Sequence, residues 1–124
     1  MKLILFILGA LTVLFYSNVH AKRAAPTKVK PVASGTMEYR APQNQIGCIE
    51  AWNTESNEMS WRRQIYVIKY QSGLERDIQD VFITNLRLTE NQLIVSNESN
   101  SKYSLDLNTL EVKVLKGALV ESIE

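Results

Sequence analysis

Phe82-Ile-Thr-Asn-Leu-Arg-Leu-Thr-Glu-Asn-Gln-Leu-Ile-Val-Ser-Asn97 decides the fold class: apolar and polar side chains alternate up to Thr89, Glu90-Asn91 turns, and Gln92 to Asn97 runs back. A side-chain period of two belongs to a strand with one buried face. A two-residue connection leaves room only for an antiparallel neighbour. Outward from this hairpin the same rhythm continues. Ile46 to Trp52 is a predicted strand, Asn53 to Asn57 a turn, and Met59 to Tyr70 a long strand rich in β-branched and aromatic residues. Downstream, Glu98 to Ser101 turns into a strand from Lys102 to Leu107, Asn108-Thr109 turns again, and Glu111 to Leu115 closes the series. Between the two halves, Leu74 to Asp80 is the one stretch suited to a helix, one or two turns long. The expectation is an all-β domain, a small antiparallel meander of about six strands with one short helical turn.

The N-terminal end has a different composition. Lys2, the apolar run Leu3 to Tyr16 and the small-residue end Val19-His20-Ala21 read as a signal peptide over residues 1–21. The alternative is an uncleaved inner-membrane anchor, which fourteen apolar residues serve poorly, because a span takes roughly 20. Cleavage gives a periplasmic or secreted protein with no stable membrane insertion. A lipoprotein is excluded, since Cys48 is far from the first mature position. Cleavage also removes His20, the chain's one histidine; 124 residues less 21 leaves 103, enough for one domain.

Charge divides the mature chain. Residues 22–45 hold Lys22, Arg23, Lys28, Lys30 and Arg40 against Glu38, together with Pro26, Pro31, Pro42 and Gly35 and no apolar period. They read as a flexible basic lead-in. Residues 46–116 form the β domain and 117–124 a tail; from Ile46 to Glu124 eight basic residues face twelve acidic ones. Five charges spread along the lead-in are too sparse for a nucleic-acid patch, so no nucleic acid is expected. One cysteine forms no internal disulfide, and Cys48 between Ile46 and Ile49 reads as a buried thiol.

One segment carries a resemblance. Ala51-Trp-Asn-Thr-Glu-Ser-Asn-Glu-Met-Ser-Trp61 resembles the repeat of PQQ-type β-propellers, in which Ala-Leu-Asp, two spacers, Thr-Gly and a Trp ten residues after the Ala form a hairpin. Ala51 and Trp61 match in identity and spacing, while Asn53, Ser56 and Asn57 replace Asp, Thr and Gly. An echo follows fifty-three residues later, where Asp106 and Thr109 keep the Asp and Thr and Val114 stands for the Trp. The resemblance implies that Asn53, Ser56, Asn57, Asp106 and Thr109 shape turns and that Trp61 packs in the core. It implies no quinone cofactor, because a ring takes roughly 4 to 8 blades and this chain supplies at most two. The run from Trp61 through Leu107 also resembles small exported bacterial proteins, which implies an envelope location.

Candidate chemistry is sparse. Without a mature histidine, neither a catalytic triad nor a histidine metal site can form, and no metal or other cofactor is expected. Glu75, Asp77 and Asp80 are the densest acidic cluster. If helical, Asp77 and Asp80 share a face, where a carboxylate hydrolase becomes chemically conceivable; otherwise these acids cap and solvate a short helix. Trp52, Trp61, Tyr66, Tyr70, Phe82 and Tyr103 have the spacing of core and cross-strand packing. The preferred expectation is a non-catalytic exported binding protein, an inhibitor of or accessory to another envelope protein, acting through a sheet face or edge. The alternative is a small carboxylate-dependent hydrolase.

Overall fold

The computed structural model describes residues 25–117. The signal peptide with its cleavage site and the tail after Gly117 lie outside the described residues. The order is β1 (Val32–Ser34), β2 (Met37–Arg40), β3 (Cys48–Asn53), β4 (Glu58–Gln64), α1 (Arg76–Gln79), β5 (Ile83–Thr89), β6 (Gln92–Asn97), β7 (Lys102–Asp106) and β8 (Val112–Lys116). The protein is all-β and antiparallel with one short helix. Among the described residues the strands number eight rather than about six, and they form two four-stranded sheets, β1-β2-β3-β4 and β5-β6-β7-β8.

The lead-in reading requires correction. Residues 32–40, expected to be flexible, supply β1 and β2, which pair antiparallel through Ala33↔Glu38 and join β3 through Tyr39↔Ala51. Gly35 at φ 61° makes their tight turn. Met37, Tyr39 and Ala41 then place apolar groups on one side, and Tyr39 is buried in the core. The sheet therefore begins well before residue 46. The long strand expected to reach Tyr70 instead ends at Gln64. Ile65 and Tyr66 both donate to the Gly47 carbonyl, where β3 begins, so the ladder has no further partner to extend along. Gly47 itself sits at φ 80°, and a Cβ there would meet the Tyr66 oxygen at 2.3 Å.

The two sheets are the same unit twice. In the first, Asn53 Oδ1 accepts from the Glu55 and Ser56 amides at 2.9 and 3.0 Å. In the second, Asp106 Oδ1 accepts from the Asn108 and Thr109 amides at 2.8 and 3.0 Å. Asn57 donates to the Asn53 carbonyl and Leu110 to the Asp106 carbonyl, at 2.7 and 2.6 Å. These two residues take the left-handed conformation, at φ 60° and 65°. Each turn is tied back to the preceding hairpin, Thr54 to the Thr36 carbonyl and Leu107 to the Asn91 carbonyl, both at 2.8 Å. The register agrees as well: Met37↔Asn53 and Trp52↔Met59 correspond to Gln92↔Asp106 and Leu105↔Val112.

This correspondence shows how the sheets stack. Side chains alternate across a strand, so each sheet has one face through the Tyr39/Ile94 position and another through the Glu38/Leu93 position. The first sheet buries its Tyr39 face, with Ile49 and Ala51. The second buries its Leu93 face, with Leu86, Val95, Tyr103 and Leu105. The two faces in contact are opposite faces of the repeated unit, so the stack runs head to tail. Its core is continuous, closed at one end by Tyr66, whose ring stacks on Tyr103 at 5.4 Å and whose hydroxyl donates to the Val81 carbonyl at 2.5 Å. Burial pushes the Tyr66 phenol well above its ordinary pKa.

Candidate functional site

The outer face of the first sheet carries its most organised polar group. The register sets Arg40 beside Glu50, Glu50 beside Arg62, and Trp52 beside Glu38. Glu50 is the lone acid of β3 and is only 7% exposed. A carboxylate so placed needs partners. Trp52 Nε1 donates to Glu50 Oε1 at 2.9 Å, and Arg62 donates through Nε and Nη2 to Glu50 Oε2 at 3.0 and 2.7 Å. Burial pushes the Glu50 carboxyl up, but the bonds from Trp52 and Arg62 and the charges of Arg62 and Arg40 outweigh it and hold the group below its ordinary value. Arg40 lies over the Trp52 indole at 4.7 Å and donates through Nε to Glu38 at 2.6 Å. The result is a half-buried indole held at its edge by a carboxylate and covered on one face by a guanidinium.

Two neighbours complete the surface. Cys48 donates its thiol to Gln64 Oε1 at 3.3 Å, and burial raises its pKa although Arg62 opposes this. The thiol is thus kept protonated and is a poor nucleophile. Beside Arg40 opens a groove of about 270 Å³, lined also by Lys28, Val29, Pro31 and Pro42. Arg40 belongs to both the groove and the indole clamp.

The residues singled out in the sequence fall into two groups. Asn53, Ser56, Asn57, Asp106 and Thr109 stand at the two repeated turns. Thr109 adds a bond from the Glu111 amide to its hydroxyl at 3.2 Å, and the amides of Thr109 and Asn108 hold the Asp106 carboxyl below its ordinary pKa. Trp61 lies on the core side of the first sheet, half-buried, with its ring 6.0 Å from that of Tyr39. The acidic cluster forms a surface loop: Glu75 is the N-cap of α1 without a side-chain cap bond, Asp77 is exposed in the first turn, and Asp80 is the C-cap. Asp80 accepts from the Tyr70 hydroxyl at 2.5 Å, and Arg76 covers that ring at 3.8 Å. The Gln79 side chain bonds Gln71, Leu74 and Glu75, which fixes the loop from within. Among the described residues no three His, Cys, Asp or Glu side chains come together to hold a metal ion.

Sequence reasoning passed over the Arg40–Trp52–Glu50–Arg62 group because Arg40 lay in a segment read as unstructured. One signal was available: a charged residue between Ile49 and Ala51 in an apolar strand, with Arg62 on the neighbouring strand to pair with it. No family model matches the chain, and the search of curated proteins finds no relative. Among the described residues no helix is long and apolar enough to cross a membrane.

Proposed function

We propose that this is a small exported, non-catalytic interaction protein that engages another envelope protein through the outer face of its first sheet. The observation that carries the reading is the Trp52 indole, half-buried, bonded at its edge to Glu50 and covered by Arg40. Trp and Arg dominate binding hot spots, and side chains already held in place lose little freedom on association. The signal-peptide pattern of residues 1–21 supports export, and it makes an inhibitor of or accessory to an envelope enzyme the fitting role. Descent of both sheets from a PQQ-type blade belongs to the same proposal. Its support is the duplicated turn, with Asn53 and Asp106 in one role, and the four-stranded antiparallel form of each sheet, which is that of a propeller blade.

Affinity capture from envelope extract tests the contact face. The natural protein is expected to retain one partner, and Trp52→Ala or Arg40→Ala is expected to weaken capture by more than about thirtyfold, the size of a hot spot, while melting within a few degrees of the natural protein. Capture that survives both substitutions would remove this face from the account. Mass spectrometry of the protein recovered from the expressing cell is expected to find Lys22 at the N-terminus; an intact Met1 in the membrane fraction would contradict export by cleavage.

A further inference from the structure

The outer face of the second sheet points the opposite way from the Trp52 face, because the sheets stack head to tail. Its side chains are those of the face that the first sheet buries. The β-bulge falls between Ala51 and Trp52 in the first sheet but between Lys102 and Tyr103 in the second, so the residue in the place of Trp61 is Lys113 rather than Val114. The pairing puts Arg87, Lys102 and Lys113 where the first sheet has Val32, Ile49 and Trp61. Three positions that are apolar in the first sheet are cations in the second. Lys116 pairs with Lys102 and adds a fourth. One cross-strand row reads Arg87, Ile94, Ser104, Lys113, and the next brings Ser96, Lys102 and Lys116 together. Ile94 and Ser104, at 9% and 4% exposure, form a low floor between long exposed cations.

A polar covering for the end of a stack needs no particular sign of charge. This one is entirely basic in its two central rows. Residues 46–124 contain twelve acidic and eight basic side chains, and half of the basic ones are on this face. The adjoining row holds two acids, Asp106, whose carboxyl is engaged by its own turn and feels the charge of Lys113, and the exposed Glu111 opposite it. None of the four cations forms an ion pair among the described residues. Strands are about 4.8 Å apart, so Arg87 and Lys113 stand roughly 14 Å apart across the four strands of the sheet. On the same edge strand Leu115 is 55% exposed, between Lys113 and Lys116. Cations on one sheet face with an apolar side chain at the rim suit a bilayer, where the lysine stems lie along the headgroups and the leucine enters the acyl boundary.

We propose that this face docks the protein on an anionic lipid bilayer, leaving the Trp52 face turned away from the membrane. The proposal rests on a different surface from the protein-contact reading, so either can fail alone. Co-sedimentation of the protein, as processed by the expressing cell, with phosphatidylglycerol-containing vesicles and with phosphatidylcholine vesicles tests it. Binding is expected with the first and not the second, and it should fall steeply between about 0.05 and 0.5 M salt, as the Debye length shrinks from roughly 14 to 4 Å. Each cation near such a surface contributes about fivefold, so Lys102→Glu with Lys113→Glu should weaken binding by more than about 25-fold. Leu115→Ser should weaken it by about fivefold. Lys69→Glu, an exposed lysine outside the face, should leave it within about twofold. Equal binding to both vesicle types, or unaltered binding by the double variant with its melt unchanged, would overturn the proposal. So would loss of vesicle binding alongside retention on a soluble polyanion such as heparin, with the same dependence on Lys102 and Lys113.

Discussion

At the position where the first sheet carries Ile49, fully buried, the second carries Lys102, exposed; at the position where the second carries the buried Leu93, the first carries Glu38. The register around the repeated turn, its hydrogen bonds and its left-handed residue are common to both. The sheets therefore differ in which face received the apolar residues, and the stack decides this. A head-to-tail pair buries opposite faces of one unit, so each unit keeps a free face that its twin has made apolar. Those free faces hold the two surfaces for which function is proposed. One is an indole–guanidinium group on paired charges, the other a face of cations that form no ion pair among the described residues.

Exchanging residues between equivalent positions breaks this comparison most severely. Ile49→Lys puts an unpartnered ammonium into the core and is expected to cost more than about 4 kcal/mol, enough to unfold a domain of this size. The reverse exchange, Lys102→Ile, should stay within about 0.5 kcal/mol in urea unfolding. Equal effects would show that the two positions share one environment, against a head-to-tail stack. Next in size is Trp61→Ala, expected to cost about 2 to 3 kcal/mol because the indole packs on Tyr39 but is only half-buried.

Glu50→Gln comes third, at about 1 to 2 kcal/mol near neutral pH, less than for a fully buried pair because Arg62 remains 42% exposed. The folded-state carboxyl titrates below its ordinary value. Its contribution is therefore complete above the free-chain value of about 4.3 and disappears as the pH falls through the lowered folded value. Urea melts of the natural and Glu50→Gln proteins should accordingly converge in acid. A gap that widens there would mean the carboxyl is destabilised by burial. The smallest effects belong to the turn. Asn57→Gly should be neutral or stabilising by up to about 1 kcal/mol, and Asn57→Val should cost about 1 to 2 kcal/mol, because a β-branched residue fits φ 60° badly.

How much of this was legible in the sequence depended on strand length. Ile83–Thr89 and Gln92–Asn97 are long enough for alternation to be plain, and Glu90-Asn91 marks their turn. The three and four residues of β1 and β2 are too few for a period, and the surrounding prolines and cations of 22–45 pull the reading toward a flexible segment. Without those two strands, the first sheet had only two, and a single meander was the simpler solution. The spacing of Asn53 and Asp106 contained the repeat. Which face of each repeat is buried could not be read until Met37 and Tyr39 joined the sheet. Arg40 was missed for the same reason, and with it the Trp52 clamp, although Glu50 marked the place.

Nuclear Overhauser contacts between methyl groups test the head-to-tail stack most directly, because they report which faces meet. The methyls of Ile49 and Ala51 are expected to show contacts with those of Leu93, Val95 and Leu105, the residues that share their core, and none with Ile94. Contacts from Ile49 or Ala51 to Ile94 would mean that the sheets pack through equivalent faces, and both the outward cationic face and the opposed Trp52 surface would be lost.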